Sequence, residues 1–140
     1  MANIYFLCTG NSARSQMAEA FGKKYLNQNW QVQSAGVESH GLNPLAVQVM
    51  NEAGMDISKQ YSKLIDNSYL QSCRLVVTLC GDARDRCPMT PVSIEKIHWD
   101  IIDPAQALGS KAEKLAVFRQ VRDDIENRMI KLSQNIGAAL

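Results

Sequence analysis

The run Arg74-Leu75-Val76-Val77-Thr78-Leu79 constrains this chain most. It is β-branched and largely apolar at both alternating sets of positions, so it needs cover on both faces, the pattern of a central strand in a parallel sheet. Parallel neighbours cannot be joined by tight hairpins and need crossovers, usually helices. The rest of the sequence supplies them. Residues 3–7 read as a short buried strand, and residues 15–26 as a helix with Met17, Phe21 and Tyr25 on one face. Residues 31–35 alternate like a second strand. Pro44 to Ala53 reads as a helix with proline in its first turn and Gly54 behind it. Residues 58–71 are polar and hold a short helix, and Lys96-Ile97-His98-Trp99 is a weaker fourth strand. From Lys111 onward, apolar residues at 115, 118, 121, 125, 129, 132 and 136 trace a long amphipathic helix. Trp99, Leu115, Phe118 and Val121 read as core.

Strands alternating with helices predict a single α/β domain over residues 1–140, with a four-stranded parallel sheet, helices on both faces and right-handed crossovers. In such sheets the ligand lies outside the carboxyl ends of the strands, where the strand order reverses. The order 2-1-3-4 would put strands one and three side by side there, and with them Cys8 and Cys80. A chain of 140 residues buries about 68% of its unfolded surface, so no disulfide framework is needed. A net charge of +1 favours neither nucleic acid nor membrane, and no leader or membrane-spanning run is evident, so a cytoplasmic monomer is expected. Four cysteines in such a compartment are inert core residues, metal ligands or redox groups.

The pattern Cys-x5-Arg occurs twice, at Cys8 to Arg14 and at Cys80 to Arg86, and context separates the two. Thr9-Gly10-Asn11-Ser12-Ala13 is small and uncharged, so its backbone can curl with the amides inward before a helix N-terminus. That makes Thr9, Gly10, Asn11, Ser12, Ala13, Arg14 and Ser15 an anion cradle. Arg14 offers a planar fork to two oxygens of a tetrahedral anion. Cys8 lies beneath as a nucleophile whose anionic sulfur is favoured by helix end, amides and guanidinium. Ser15 can donate to that sulfur, and Asn11 can brace the loop. The plainer reading is a buried cysteine at a strand end with a surface-paired arginine. The second loop, Gly81-Asp82-Ala83-Arg84-Asp85, carries two carboxylates that would repel an oxyanion, so another task is expected of it.

The stretch CTGNSARS resembles the phosphate-binding loop of the low-molecular-weight protein tyrosine phosphatases, and Asp103-Pro104 resembles their general-acid loop. The resemblance runs over nearly the whole chain. It implies Cys8 as nucleophile, Arg14 as oxyanion clamp, Ser15 as thiolate donor and Asp103 as proton donor to the leaving oxygen. A phosphatase needs one thiol, yet Cys80 and Cys87 follow the third strand. That pair, with Ser34-Ala35-Gly36-Val37-Glu38, His40-Gly41-Leu42-Asn43-Pro44 and Val76-Val77-Thr78-Leu79-Cys80, resembles the thioredoxin-coupled arsenate reductases that share the phosphatase fold.

This second resemblance implies that Cys8 attacks arsenate, that a Cys8-Cys80 disulfide forms as arsenite leaves, and that Cys87 moves the disulfide to Cys80-Cys87 for thioredoxin to reduce. Phosphate and sulfate would compete as anions. Seven helical residues would hold Cys80 and Cys87 about 10.5 Å apart, whereas a disulfide needs Cα atoms roughly 4.4 to 6.8 Å apart. The segment is therefore expected to refold on oxidation, aided by Gly81 and by charges at 82, 84, 85 and 86 that keep it solvated. Some reductases of this kind hold potassium with residues corresponding to Asn11, Glu19 and Ser34 plus an acidic residue where this chain has Lys63. The lysine ammonium can take the cation's place, so neither a metal nor a cofactor is expected. Zinc held by Cys73, Cys80, Cys87 and a histidine matches no common spacing. Cys73 has no assigned role, and His40 and His98 read as structural. A tyrosine phosphatase with redox-protective cysteines and a silent oxyanion-binding module are the alternatives.

Overall fold

The computed structural model describes residues 1–82 and 85–136. Strand β1 (Ala2–Cys8) pairs in parallel with β2 (Trp30–Gly36) on one side and β3 (Cys73–Leu79) on the other, and β4 (Glu95–Trp99) joins β3. The order is β2-β1-β3-β4, as the sequence predicts. Leu7 stands opposite Ala35 and Thr78. Register therefore brings the carboxyl ends of β1 and β3, and hence Cys8 and Cys80, to the same edge.

Because side chains alternate across a strand, each face collects its own apolar set. Ile4, Phe6, Leu75, Val77 and Leu79 enter the larger core with Met17 and Phe21 of helix α1 (Arg14–Tyr25). Met50 of α2 (Pro44–Glu52) and Phe118, Ile125 and Met129 of α4 (Lys111–Ile136) complete that core. Helix α4 packs along α1 and α2. The opposite face is smaller: Tyr5, Leu7, Ala35, Cys73 and Val76 lie under Leu70 of the short helix α3 (Asn67–Ser72). The helix predicted within residues 58–71 is thus present at the end of that stretch, started by Asp66, whose carboxylate accepts from the Ser68 and Tyr69 N–H groups. Each large side chain fully buried this way contributes about 1.5–3 kcal/mol. Among the described residues no helix is long and apolar enough to cross a membrane.

Cys73 is the first residue of β3 and is buried, donating its thiol to the Tyr69 carbonyl at 3.2 Å; burial pushes that thiol up to about 11. It is a packing residue. Gly36 closes β2 where a Cβ would come within 2.6 Å of the Thr9 and Glu38 carbonyl oxygens and 2.8 Å of the Asn11 nitrogen. Only glycine lets these backbones meet beneath the loop after β1.

The described parts of residues 80–94 contain no helix, in keeping with the loop expected after β3. Asp85 folds back on Gly81 and Asp82, accepting from both N–H groups at 2.9 Å. Its own N–H reaches the Asp82 carbonyl, also at 2.9 Å. This reversal shortens the span, and Cys87 lies near enough to Cys80 to raise that thiol's pKa, with both unbridged. The segment is not uniformly solvated, since the Asp85 side chain is 5% exposed. Arg84, counted among the solvating charges, lies outside the described residues. Gly81 allows a close approach, since a Cβ there would stand 2.6 Å from the Ile101 nitrogen.

Candidate active site

Cys8 ends β1 fully buried, and the chain turns through residues 9–13 into α1. Asn11 makes the turn, with a left-handed φ of +46°, and its amide holds the loop in place. Its nitrogen donates to Ser15 Oγ at 2.8 Å and Ser34 Oγ at 3.0 Å. Its oxygen accepts from the Lys63 N–H at 2.9 Å and Gln16 Nε2 at 3.0 Å. Ser15 Oγ lies 2.8 Å from Cys8 Sγ. Since that oxygen already accepts from Asn11, its own hydrogen is free to point at the sulfur. The backbone of Gly10 is pinned through its carbonyl by the His40 N–H and the Ser62 hydroxyl, and that of Ser12 by the Asn43 N–H, all at 3.0 Å. No side chain caps α1, where Ala13 occupies the cap position. The first-turn N–H groups therefore remain for an anion.

Arg14 is 3% exposed and its fork is occupied. Nη1 donates to Asp85 Oδ2 at 2.7 Å and to the Ile101 carbonyl at 2.9 Å, while Nη2 donates to Asp85 Oδ1 at 2.6 Å. Burial works against the guanidinium's charge, but Asp85, Cys8 and Asp103 outweigh it and hold the group protonated. Burial likewise opposes the Asp85 charge, but the Arg14 fork, the Asp82 N–H, the Thr9 hydroxyl and the Gly81 N–H hold its carboxyl well below the usual carboxylate range. Asp103 Oδ2 is 3.9 Å from Arg14 Nη2, and Oδ1 accepts from the Ala105 N–H at 3.0 Å, starting the 3₁₀ turn Pro104–Gln106. The Asp-Pro pair is thus both a turn and a carboxyl at the cradle.

Cys8, Arg14 and Asp103 line a cleft of about 280 Å³. Its rim holds residues the sequence reading missed: Glu38, His40, Asp85 and Arg86. His40 packs so closely on Gly10 that a Cβ there would overlap its ring, and it pairs with Glu38, which pairs in turn with Arg86. The Ser34-to-Glu38 and His40-to-Pro44 stretches carried a signal for two of these. Asp85 carried none, because a carboxylate near an anion site reads as repulsive. His98 is structural, its Nδ1 2.7 Å from the Thr78 hydroxyl.

Cys80 is buried and Cys87 exposed. Burial, then the Cys87 contact, pushes the Cys80 thiol well above its ordinary value.

The residues corresponding to a potassium site do not suit that ion here. Glu19 takes the Ser34 hydroxyl at 2.6 Å, Lys23 Nζ at 2.7 Å and Lys63 Nζ at 3.5 Å. Asn11 presents its nitrogen, not its oxygen, to Ser34. Ammonium groups already surround the carboxylate, which burial would neutralise but which Lys23, Ser34 and Lys63 hold charged.

A buried cysteine and arginine spanning a strand-loop-helix cradle, on a sheet of order β2-β1-β3-β4, define a phosphatase-type anion site. The chain belongs to the low molecular weight phosphotyrosine protein phosphatase family, whose pattern matches residues 3–139. Within it, the chain groups with arsenate reductases. It is 60% identical over 126 residues to the arsenate reductase of Halalkalibacterium halodurans, covering 90% of this chain and 91% of that protein. It is 56% identical over 131 residues to the arsenate reductase of Bacillus subtilis, covering 94% of each. A solved arsenate reductase in its phosphate-binding state aligns with a TM-score of 0.79 at 34% identity, over 97% of this chain and 99% of that one.

Proposed function

We propose that the chain reduces arsenate to arsenite through a three-thiol relay regenerated by thioredoxin. The observation that carries this reading is the layout of the thiols: Cys8 buried in the cradle, Cys80 buried at the same sheet edge, and Cys87 exposed and near enough to Cys80 to raise its pKa. A phosphatase uses only the first.

Arsenate binds with its oxygens on Arg14 and the loop N–H groups. The Cys8 sulfur attacks arsenic, and Asp103 delivers a proton to the departing oxygen, leaving a sulfur-arsenic bond. Cys80, its buried thiol passing its proton to an oxygen of the arsenic adduct, then attacks the Cys8 sulfur. A sulfur-sulfur bond forms, the sulfur-arsenic bond breaks, and its electron pair stays on arsenic, which leaves as arsenite. Phosphorus does not accept that pair, so the second and third thiols serve arsenic chemistry. Cys87 attacks Cys80, the pair returns to the Cys8 sulfur, and the disulfide now spans Cys80 and Cys87. An exposed Cys87 puts it within reach of a dithiol protein.

The rim favours this over a tyrosine phosphatase. It carries Glu38, His40 and Arg86, and no Phe, Tyr or Trp among the described residues lines the cleft to stack on an aryl ester. The test is arsenate-dependent NADPH oxidation with thioredoxin and thioredoxin reductase. Fast aryl-phosphate hydrolysis with no arsenate-dependent oxidation would replace this reading with the phosphatase one. In the same assay, activity is expected to agree within about twofold between sodium and potassium buffers of equal ionic strength, because Lys63 supplies the local charge. Lys63→Asp is expected to make activity potassium-responsive, and an unresponsive variant would remove Lys63 from that role.

A further inference from the structure

We propose that Asp85 is a positioning residue that times the relay: its carboxylate competes with the substrate oxyanion for the Arg14 fork, and while seated there it keeps Cys87 near Cys80. The inference rests on the relay just described and adds a residue to it.

A carboxylate and the edge of a tetrahedral oxyanion present the same pair of oxygens to a guanidinium. Asp85 already takes both Nη groups of Arg14, and Nη1 also serves the Ile101 carbonyl. Two anions in one buried fork would repel each other at close range, with little water to screen them. Occupancy is therefore exclusive. Asp85 is held in addition by Thr9 Oγ at 2.8 Å and by the Gly81 and Asp82 N–H groups.

The seating extends toward the thiol. Thr9 Oγ, which donates to Asp85, accepts the Arg86 N–H at 3.0 Å, and the Arg86 guanidinium pairs with Glu38. Cys87 is the next residue, and it lies near enough to Cys80 to raise that thiol's pKa. A chain anchored at residues 85 and 86 on the cradle wall has little freedom left at residue 87. Seating Asp85 and placing Cys87 are thus one event.

This gives the two exchanges an order. Arsenate entering the fork displaces Asp85, loosens Arg86 and draws Cys87 away from Cys80. Cys80 is then free to attack the sulfur of Cys8. When arsenite leaves, the fork empties and Asp85 returns. Cys87 comes back to Cys80, loses its proton to solvent and attacks. The Cys8-Cys80 bond breaks with its electron pair going to Cys8, the Cys80-Cys87 bond forms, and no outside oxidant or reductant enters. The carboxylate that reads as hostile to an oxyanion acts as its placeholder.

The test is Asp85→Asn, which keeps the side-chain shape but loses the charge. Inorganic phosphate titrated calorimetrically into the fully reduced protein is expected to bind at least about tenfold tighter than in wild type, since a charge-assisted competitor has been removed. After one equivalent of arsenate, conversion of the Cys8-Cys80 to the Cys80-Cys87 disulfide, followed by alkylation quench and mass spectrometry, is expected to slow at least about tenfold. Structural damage would weaken the first readout as well as the second, so the opposite signs are diagnostic. Asp85→Glu, which restores the charge, is expected to return phosphate affinity toward wild type. Phosphate affinity that is unchanged or weaker in Asp85→Asn, or disulfide transfer at the wild-type rate, overturns the proposal. If wild type itself forms no Cys8-Cys80 disulfide with arsenate, the relay reading fails and this timing role falls with it, whatever the phosphate result.

Discussion

Cys8→Ser is expected to lose arsenate reduction by at least about 10⁴-fold, the scale on which a removed nucleophile is felt, while still binding phosphate. The sulfur does two things that a hydroxyl cannot. It attacks arsenic with the Ser15 hydroxyl 2.8 Å from it. It then accepts attack by a second sulfur, and an oxygen bonded to arsenic offers no comparable route to a disulfide. The second failure makes the loss larger for reduction than for any phosphatase side reaction. Anion binding depends on the loop amides and Arg14, which the substitution leaves in place. Phosphate affinity within about threefold of wild type, beside absent thioredoxin-coupled turnover, is the expected pair of results. Turnover retained within tenfold in Cys8→Ser would remove Cys8 from the chemistry.

What could be read from the sequence follows from which interactions are local. The strand at residues 74–79 and the helix over residues 111–136 announce themselves by period, because burial on one or two faces is written into the side chains themselves. The cradle was legible for the same reason: strand end, small loop, arginine and helix onset are consecutive residues. Register was legible only as a consequence of the strand order. The seat of Asp85 was not, since it joins Arg14 to a residue 71 positions away through a turn whose shape depends on Gly81 meeting the backbone of Ile101. The separation of Cys80 and Cys87 was not legible either, because spacing along a chain gives a distance only once the conformation is known. Lys63 and Glu19 were linked only through the resemblance to potassium-holding reductases; their 3.5 Å pairing joins residues 44 positions apart and is written in no local pattern.

The expected behaviour of Cys87→Ser separates the second exchange from the first. Attack on arsenate needs Cys8, and reduction of the adduct needs Cys80; neither step uses Cys87. With one equivalent of arsenate, arsenite release is therefore expected near the wild-type yield, leaving a Cys8-Cys80 disulfide that digestion and mass spectrometry can locate. Steady-state thioredoxin-coupled turnover is expected to fall at least about 10³-fold, because the remaining disulfide joins two cysteines that are 2% and 6% exposed, and exchange depends on access. The exposed serine replaces the thiol with a group of similar size and can still follow Asp85 into its seat, so the fold and the anion site are expected to survive. Cys80→Ser gives the complementary result: Cys8 retains its attack, but no arsenite leaves by this route. Burial decides the difference, since the relay carries oxidation from a sulfur that a protein reductant cannot reach to one that it can. Sustained turnover in Cys87→Ser would mean that the reductant reaches the first disulfide directly, and the three-thiol scheme would have to be given up.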